Sequence, residues 1–263
     1  MKRQLRAFVN RFPRLKAALR RMLPARGVSS HYVELGGDEA DRESSRLRSA
    51  WQDNDLPARQ RELVDRQLGE YRRGVKIDVF DVLADAVRGL KDGPRPLSVL
   101  EIGCSSGYYS EVLQVADVAV TYRGCDYSDG FIAMARQRYP TVAFDVQDAT
   151  RLDYKDEAFD VAISGCCLLH IPEYKTAVVE TARVTGRYAI FHRTPVVIGQ
   201  PNKYFRKLAY GVETVEIHFN EPEFLALLAR SGLELIGTHT LDENVVQGAG
   251  SATRTYVCRK QKN

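Results

Sequence analysis

The sequence predicts an α/β fold: a doubly wound, mostly parallel sheet of seven strands, an antiparallel C-terminal hairpin, and a helical cap before the sheet. Three observations predict it. A breaker cluster, "KDGPRP" at 91–96, separates a helix-like stretch from a region of different rhythm. Beyond it, strand-like and helix-like runs alternate, which implies parallel βαβ units. Near the end the alternation stops, and "LELIGTHT" and "TRTYVCRK" stand as two strand-like runs joined by a short polar loop. Two strands so joined pair antiparallel at a sheet edge.

Residues 1–23 place Leu5, Phe8, Val9, Phe12, Leu15, Leu19, Met22 and Leu23 at helical spacing, with Lys and Arg filling the gaps and Pro13 as a kink. Residues 24–45 read as a linker. From Trp51 to Leu90 the pattern is helical again, with Pro57 early in a helix and Gly74 between two helices. Strands are expected at 97–102, 118–125, 142–146, 159–165 and 187–192, and helices at about 107–116, 129–138, 173–184 and 221–231. "NEPEF" offers Asn220 as the N-cap of the last helix and Glu223 as its capping-box partner. The chain thus divides into a basic amphipathic segment (1–30), a helical cap (31–95) and a ligand-binding domain (96–263).

Charge and cysteine usage narrow the classes. Residues 1–30 hold nine Lys or Arg and no acid, more than the whole chain's net charge of +4, so the remainder is net acidic. Basicity confined to one segment makes nucleic acid an unlikely partner. Bulky apolar residues beside Arg and Lys instead suit an anionic membrane surface, contacted through residues 1–24. No apolar core of a secretory signal follows the first basic residues, and no run of eighteen apolar residues occurs, so the expected location is cytoplasmic, peripheral on the inner face of the membrane. The five cysteines are odd in number and form no CxxC pair, which suits reduced thiols. No Cys/His or acid cluster has ligand spacing, so no metal is expected.

The strand–turn–helix "VLEIGCSSGYYSEVL" (99–113) is the first site candidate. Its turn holds only small residues, which lets a ligand approach the backbone beside a helix N-terminus. In a doubly wound sheet ligands bind beyond the carboxyl ends of the strands, where this turn lies. The second strand ends in Asp126, whose carboxylate can accept both hydroxyls of a ribose, and Tyr127 beside it can stack on a base. The third leads to Asp148 in "FDVQDATRL", and the fourth opens as "DVAISGCCLLHI" into small residues and His170.

Taken in order, these motifs resemble those of the class I S-adenosylmethionine-dependent methyltransferases, over roughly residues 95–258. The resemblance implies a Rossmann-like fold whose antiparallel seventh strand is inserted between the fifth and sixth. It implies that Glu101, Gly103, Cys104, Ser105 and Gly107 form the first motif, holding the methionine and ribose part of the cofactor. It assigns Asp126 to the ribose hydroxyls, Asp148 with Ala149 to the adenine amine, and the segment around Gly165 to the methyl-transfer site. Cys104-Ser105-Ser106 departs from the family at a point where glycine is more usual. No Asn/Asp-Pro-Pro-Tyr/Phe run follows the fourth strand, which argues against methylation of base or glutamine nitrogens.

S-adenosyl-L-methionine is therefore the expected cofactor, and the expected reaction is methyl transfer to a hydroxyl of a small molecule or saccharide, including a membrane-associated glycan. The alternatives are N- or C-methylation of a secondary metabolite, and a non-catalytic nucleotide-binding adaptor. An NAD-linked oxidoreductase would favour Gly-x-Gly-x-x-Gly over the Gly-x-x-x-Gly present. An alcohol acceptor needs a base, and the candidates are His170, His192 and His218. Arg193 is a candidate for an anionic substrate group. Tyr71, Tyr108 and Tyr109 are candidates for the methionine end or the acceptor. The long connection "HRTPVVIGQPNKYFRKLAYG" is expected to contribute to acceptor recognition.

Overall fold

The structure, a computed structural model, describes residues 29–90, 93–246 and 249–261. The basic stretch at 1–24 and its expected membrane contact lie outside the described residues. The elements run in the order β1 (Ser29–Leu35), α1 (Gly37–Arg48), α2 (Leu56–Arg72), α3 (Asp78–Arg88), β2 (Leu97–Ile102), α4 (Tyr108–Val115), β3 (Val120–Asp126), α5 (Asp129–Arg138), β4 (Ala143–Val146) and β5 (Phe159–Gly165). There follow α6 (Tyr174–Val184), β6 (Thr185–Val197), β7 (Lys203–Ala209), β8 (Val212–Asn220), α7 (Glu221–Arg230), β9 (Leu233–Val246) and β10 (Ala249–Lys260). Short 3₁₀ turns occupy Ser49–Gln52 and Leu168–His170.

The expected seven strands form a continuous path, β4-β3-β2-β5-β6-β10-β9. Strands β2 to β6 pair in parallel, and β10 runs antiparallel to both β6 and β9. The inserted antiparallel strand is therefore β10. Alternation along the central strands supplies the two helix layers. Val99, Val161, Ile163 and Ile190 face the side covered by α2, α3 and α4, through Leu68, Phe80, Leu83 and Leu113. Ala189, Phe191 and Cys258 face the other side, against Val178 of α6 and Phe224 and Leu228 of α7. A one-residue step along a strand reverses the face, so apolar residues at consecutive positions mark a sheet covered on both sides.

Three further strands extend the sheet beyond seven. The connection after β6 folds into β7 and β8; β8 pairs in parallel with the far end of β6, and β7 pairs with β8 antiparallel. β1 then adds to β7 from more than 150 residues away in sequence. The stretch expected as a linker at 24–45 thus contains a strand and most of a helix, and the helical-cap segment is partly β. Its apolar signal is sparse: α1 buries only Ala40, Ser44 and Leu47 among the residues whose burial is described, on a helix dominated by charge. The strand β1 buries Leu35 while leaving Tyr32 and Val33 exposed.

Local signals set the boundaries elsewhere. Gly74 adopts φ +77°, a conformation that L side chains resist, and ends α2. Asn220 Oδ1 accepts from Glu223 N–H at 2.9 Å and starts α7 behind Pro222. The expected reciprocal half is replaced: Asn220 N–H donates to Asn202 Oδ1 at 2.7 Å. All five cysteines are free thiols, and Cys166 and Cys167 lie in the turn after β5 rather than on a strand.

Candidate active site

A cavity of about 320 Å³ opens at the carboxyl ends of β2, β3, β5 and β6. Glu101, Gly103, Ser105, Asp126, Tyr127, Ala149, Gly165 and His170, all singled out from sequence, line it. Their positions follow from the sheet: parallel strands end on one edge, and each places its last residues there.

The floor is built by glycines that admit no side chain. Gly103 has φ +71°, and a Cβ there would meet Cys167 Cβ at 2.2 Å. At Gly165 a Cβ would meet Glu101 Oε1 at 2.7 Å. Gly107 has φ +72° and packs under Phe144, where a Cβ would come within 2.5 Å of the ring. Gly107 and Cys104 therefore shape the turn from beneath: Cys104 is fully buried against Gly124, and neither residue lines the cavity.

Two acids face this floor. Asp126 accepts Ser105 N–H on Oδ2 at 2.9 Å and Ser128 N–H on Oδ1 at 3.0 Å. A carboxylate offers about four acceptor positions, so these bonds fix the group and leave capacity for a diol. Burial pushes its pKa up to about 6, and the N–H donors oppose the rise. Glu101 is completely buried, accepts a hydrogen bond from the Tyr122 hydroxyl, and is pushed by burial up to about 8. A cationic group entering beside it would be favoured together with loss of its proton.

Asp148 is near the cavity but not on its wall; Gln147 and Ala149 on either side are. Its Oδ1 accepts from the N–H and the hydroxyl of Thr150, and its Oδ2 accepts from Arg48 Nη2 at 2.6 Å. Arg48 lines the cavity, and its carbonyl accepts the Tyr127 hydroxyl. The C-terminus of α1 is thus tied across the end of β3.

The three histidines separate. His170 lines the cavity: its Nδ1–H donates to Val215 O at 2.5 Å, which leaves Nε2 as the acceptor nitrogen of the neutral ring. The Trp51 ring packs on it at 4.6 Å. Burial, reinforced by the Lys207 charge, lowers its pKa to about 3. His192 points away from the cavity into the sheet core, with Nδ1 2.8 Å from Thr255 Oγ1. His218 Nε2 lies 2.7 Å from Glu216 Oε1, beside Phe205, and is not on the wall. Glu216 also receives the ammonium of Lys207, a cavity residue. Of the tyrosines, Tyr108 lines the cavity; Tyr109 is buried beneath it and Tyr71 donates to Asp81.

The sequence reading named none of Arg48, Trp51 and Gln60 on this wall, and it covered Cys166, Lys207 and Tyr210 only as parts of the fourth motif and of the connection at 192–211, without singling them out. They come from α1, its 3₁₀ turn, α2, the turn after β5 and the β7–β8 hairpin. Backbone strain marks the same wall. Seven non-glycine residues among those described have positive φ, and four of them, Ser105, Cys166, Arg193 and Tyr210, line the cavity. Such conformations cost about 1–3 kcal/mol each and cluster at functional sites.

Comparison with known proteins agrees with the geometry. Residues 100–191, from β2 to β6, match a family profile described as "Methyltransferase domain". A demethylmenaquinone methyltransferase of Paenarthrobacter aurescens is 30% identical over 171 residues, 62% of this chain and 62% of that protein. A probable S-adenosylmethionine-dependent methyltransferase of Mycolicibacterium smegmatis is 29% identical over 157 residues, 59% of this chain and 57% of that protein. The chain thus spans less than two thirds of the length of these curated relatives. Among solved structures, magnesium protoporphyrin IX methyltransferase from Synechocystis, with bound S-adenosylhomocysteine, has the same fold at a TM-score of 0.56, with 15% identity over 83% of this chain and all of that one. A Rossmann-like sheet with the antiparallel strand inserted, an acid at the end of each of its first two strands, and the family match agree: residues 100–191 match a methyltransferase domain, on a fold shared with S-adenosylmethionine-dependent methyltransferases.

Proposed function

We propose that this chain transfers a methyl group from S-adenosylmethionine to a small, largely aromatic acceptor through an ionisable hydroxyl of that acceptor. One observation carries the reading: a single cavity joins the acids at the ends of β2 and β3 to the acceptor nitrogen side of His170. Asp126 would hold the ribose hydroxyls, Glu101 the methionine ammonium, and Gly103 and Gly165 give the backbone clearance. Asp148, tied to Arg48, would act on the adenine from the rim. When bound, S-adenosylmethionine supplies a methyl group on a sulfonium, already activated for displacement.

The rest of the wall favours a planar apolar molecule over a saccharide or glycan. Trp51, Phe80, Tyr108, Phe131 and Ile171 line it, and aromatic walls bind flat rings better than hydrated polyols. The relative named for demethylmenaquinone points the same way. Transfer to a ring carbon activated by a neighbouring hydroxyl and transfer to the hydroxyl itself begin with the same ionised oxygen. His170 would accept the hydrogen bond of that hydroxyl on Nε2 and orient it, with the proton passing to solvent, since an imidazole of pKa about 3 does not retain it. Trp51 Nε1, buried without a hydrogen-bond partner, is a donor available to an acceptor oxygen.

The test is turnover: full-length protein with S-adenosylmethionine and a panel of reduced naphthoquinols and naphthols, read by mass spectrometry of the methylated product. His170→Gln is expected to lower kcat roughly 100-fold with little change in KM. The kcat profile at saturating S-adenosylmethionine should show no acid limb near 6.5 from His170, because burial, Lys207 and Arg193 hold the imidazole neutral down to about 3 despite the opposing Glu216 carboxylate. Methylated polyols with untouched naphthols would contradict the acceptor class.

A further inference from the structure

Resting on the methyltransferase reading, we infer that the acceptor carries an acid group, such as a carboxylate, and that Arg193 is the residue that receives it. Arg193 is on the cavity wall, and among the described residues no carboxylate forms an ion pair with it. Its neighbours are Cys166, Tyr108, Tyr109 and Tyr210. The other two cations on the wall are already paired, Lys207 with Glu216 and Arg48 with Asp148. A half-buried guanidinium that meets hydroxyls and a thiol but no carboxylate is suited to receive an anionic ligand group.

The backbone is shaped to deliver this side chain. β6 pairs with β10 through Phe191–Tyr256 and Thr194–Arg254, so His192 and Arg193 together oppose Thr255 alone. This is a β-bulge, a device that re-aims a side chain. Arg193 holds φ +57° there, a strained conformation for a residue with a Cβ. In an unbulged strand the alternation of faces would continue past His192. The bulge cancels that step: Arg193 stays on the face of His192, beside Tyr109, and from the next position along β6 it reaches the cavity.

The wall around the guanidinium is also polar in the right sense. Gln60 is 8% exposed and brings its side-chain amide to this wall. The Gln60 amide and the Tyr108 and Tyr210 hydroxyls line the same cavity and offer further donors to an anion. The planar guanidinium fork matches a carboxylate with two parallel hydrogen bonds. Arg193 also lies close enough to His170 to oppose its protonation, which places it at the acceptor end.

The experiment titrates matched aryl carboxylates and primary amides (benzoate and benzamide, 2-naphthoate and 2-naphthamide) into full-length protein saturated with S-adenosylhomocysteine. At least one carboxylate is expected to bind about tenfold or more tightly than its amide. Arg193→Gln should abolish the preference, and Arg193→Lys should keep part of it. Equal binding across every pair would overturn the inference. A second source of the same anion is the α-carboxylate of the cofactor. If Arg193→Gln weakens S-adenosylhomocysteine about tenfold while 5′-methylthioadenosine, which lacks the amino acid, is unaffected, the anion is the cofactor's and the acceptor assignment is wrong. Failure of wild-type protein to bind S-adenosylhomocysteine at all would remove the methyltransferase reading itself, and this inference with it.

Discussion

Glu101→Gln is expected to stabilise the free protein at pH 8 and at the same time to cripple cofactor binding. The carboxyl is fully buried, and burial raises its pKa from 4.5 to about 8. Between those values the native state holds a proton that the unfolded chain has lost. Stability is therefore greatest below pH 4.5 with respect to this group and falls as pH rises through 8. Glutamine keeps the shape and an acceptor for the Tyr122 hydroxyl without the charge. The gain is on the order of 2 kcal/mol at pH 8, read as a melting temperature raised by several degrees. Near pH 4.5 the wild type and the variant should converge. Affinity for S-adenosylmethionine should fall about 10- to 100-fold, because the ammonium loses its charged partner. Equal stability at both pH values would show that Glu101 is not desolvated as described.

Gly103→Ala is expected to act in the opposite direction on stability and to close the site. The residue is held at φ +71°, and a Cβ would lie 2.2 Å from Cys167 Cβ and 2.6 Å from its sulfur. Cys167 cannot retreat freely: its sulfur lies 3.1 Å from Ile102 O and 3.3 Å from Ser164 Oγ. Strain and overpacking together should lower stability by about 3 kcal/mol or more, and cofactor binding should be lost. Gly36→Ala is the control, since a Cβ there meets nothing within 4 Å and φ is −90°. Urea unfolding of both variants decides it: similar midpoints for the two would refute the tight cradle.

The contrast between what the sequence disclosed and what it hid is physical. β2, β5 and α5 were readable to the residue, since each is a local pattern bounded by small or polar residues. Glu101 and Asp126 were readable because a strand end followed by a turn fixes where a side chain must go. The opposite wall was legible only as a long connection expected to meet the acceptor, without the residues that do so. Lys207 and Tyr210 reach the cavity only because the connection after β6 folds into a hairpin, paired to β6 at two positions and to β1 across most of the chain. His192 and Arg193 were both candidates, and a single bulge opposite Thr255 keeps Arg193 on the face from which it reaches the cavity. His218 stands on β8 in the same hairpin, where it satisfies Glu216 instead of the cavity. Long-range pairing and local register shifts leave no composition signature.

The central claim is that the β2–β3 end of the cavity holds S-adenosylmethionine through Asp126. Calorimetry of the full-length protein with S-adenosylmethionine, beside Asp126→Asn, tests it most directly. Asparagine preserves the size of the group and keeps one oxygen, so one of the two N–H donors, Ser105 or Ser128, retains its acceptor and the fold should survive. The account predicts saturable one-to-one binding by the wild type, weakened roughly 10- to 100-fold in the variant. Equal affinity in the two proteins, with both folded, would contradict it.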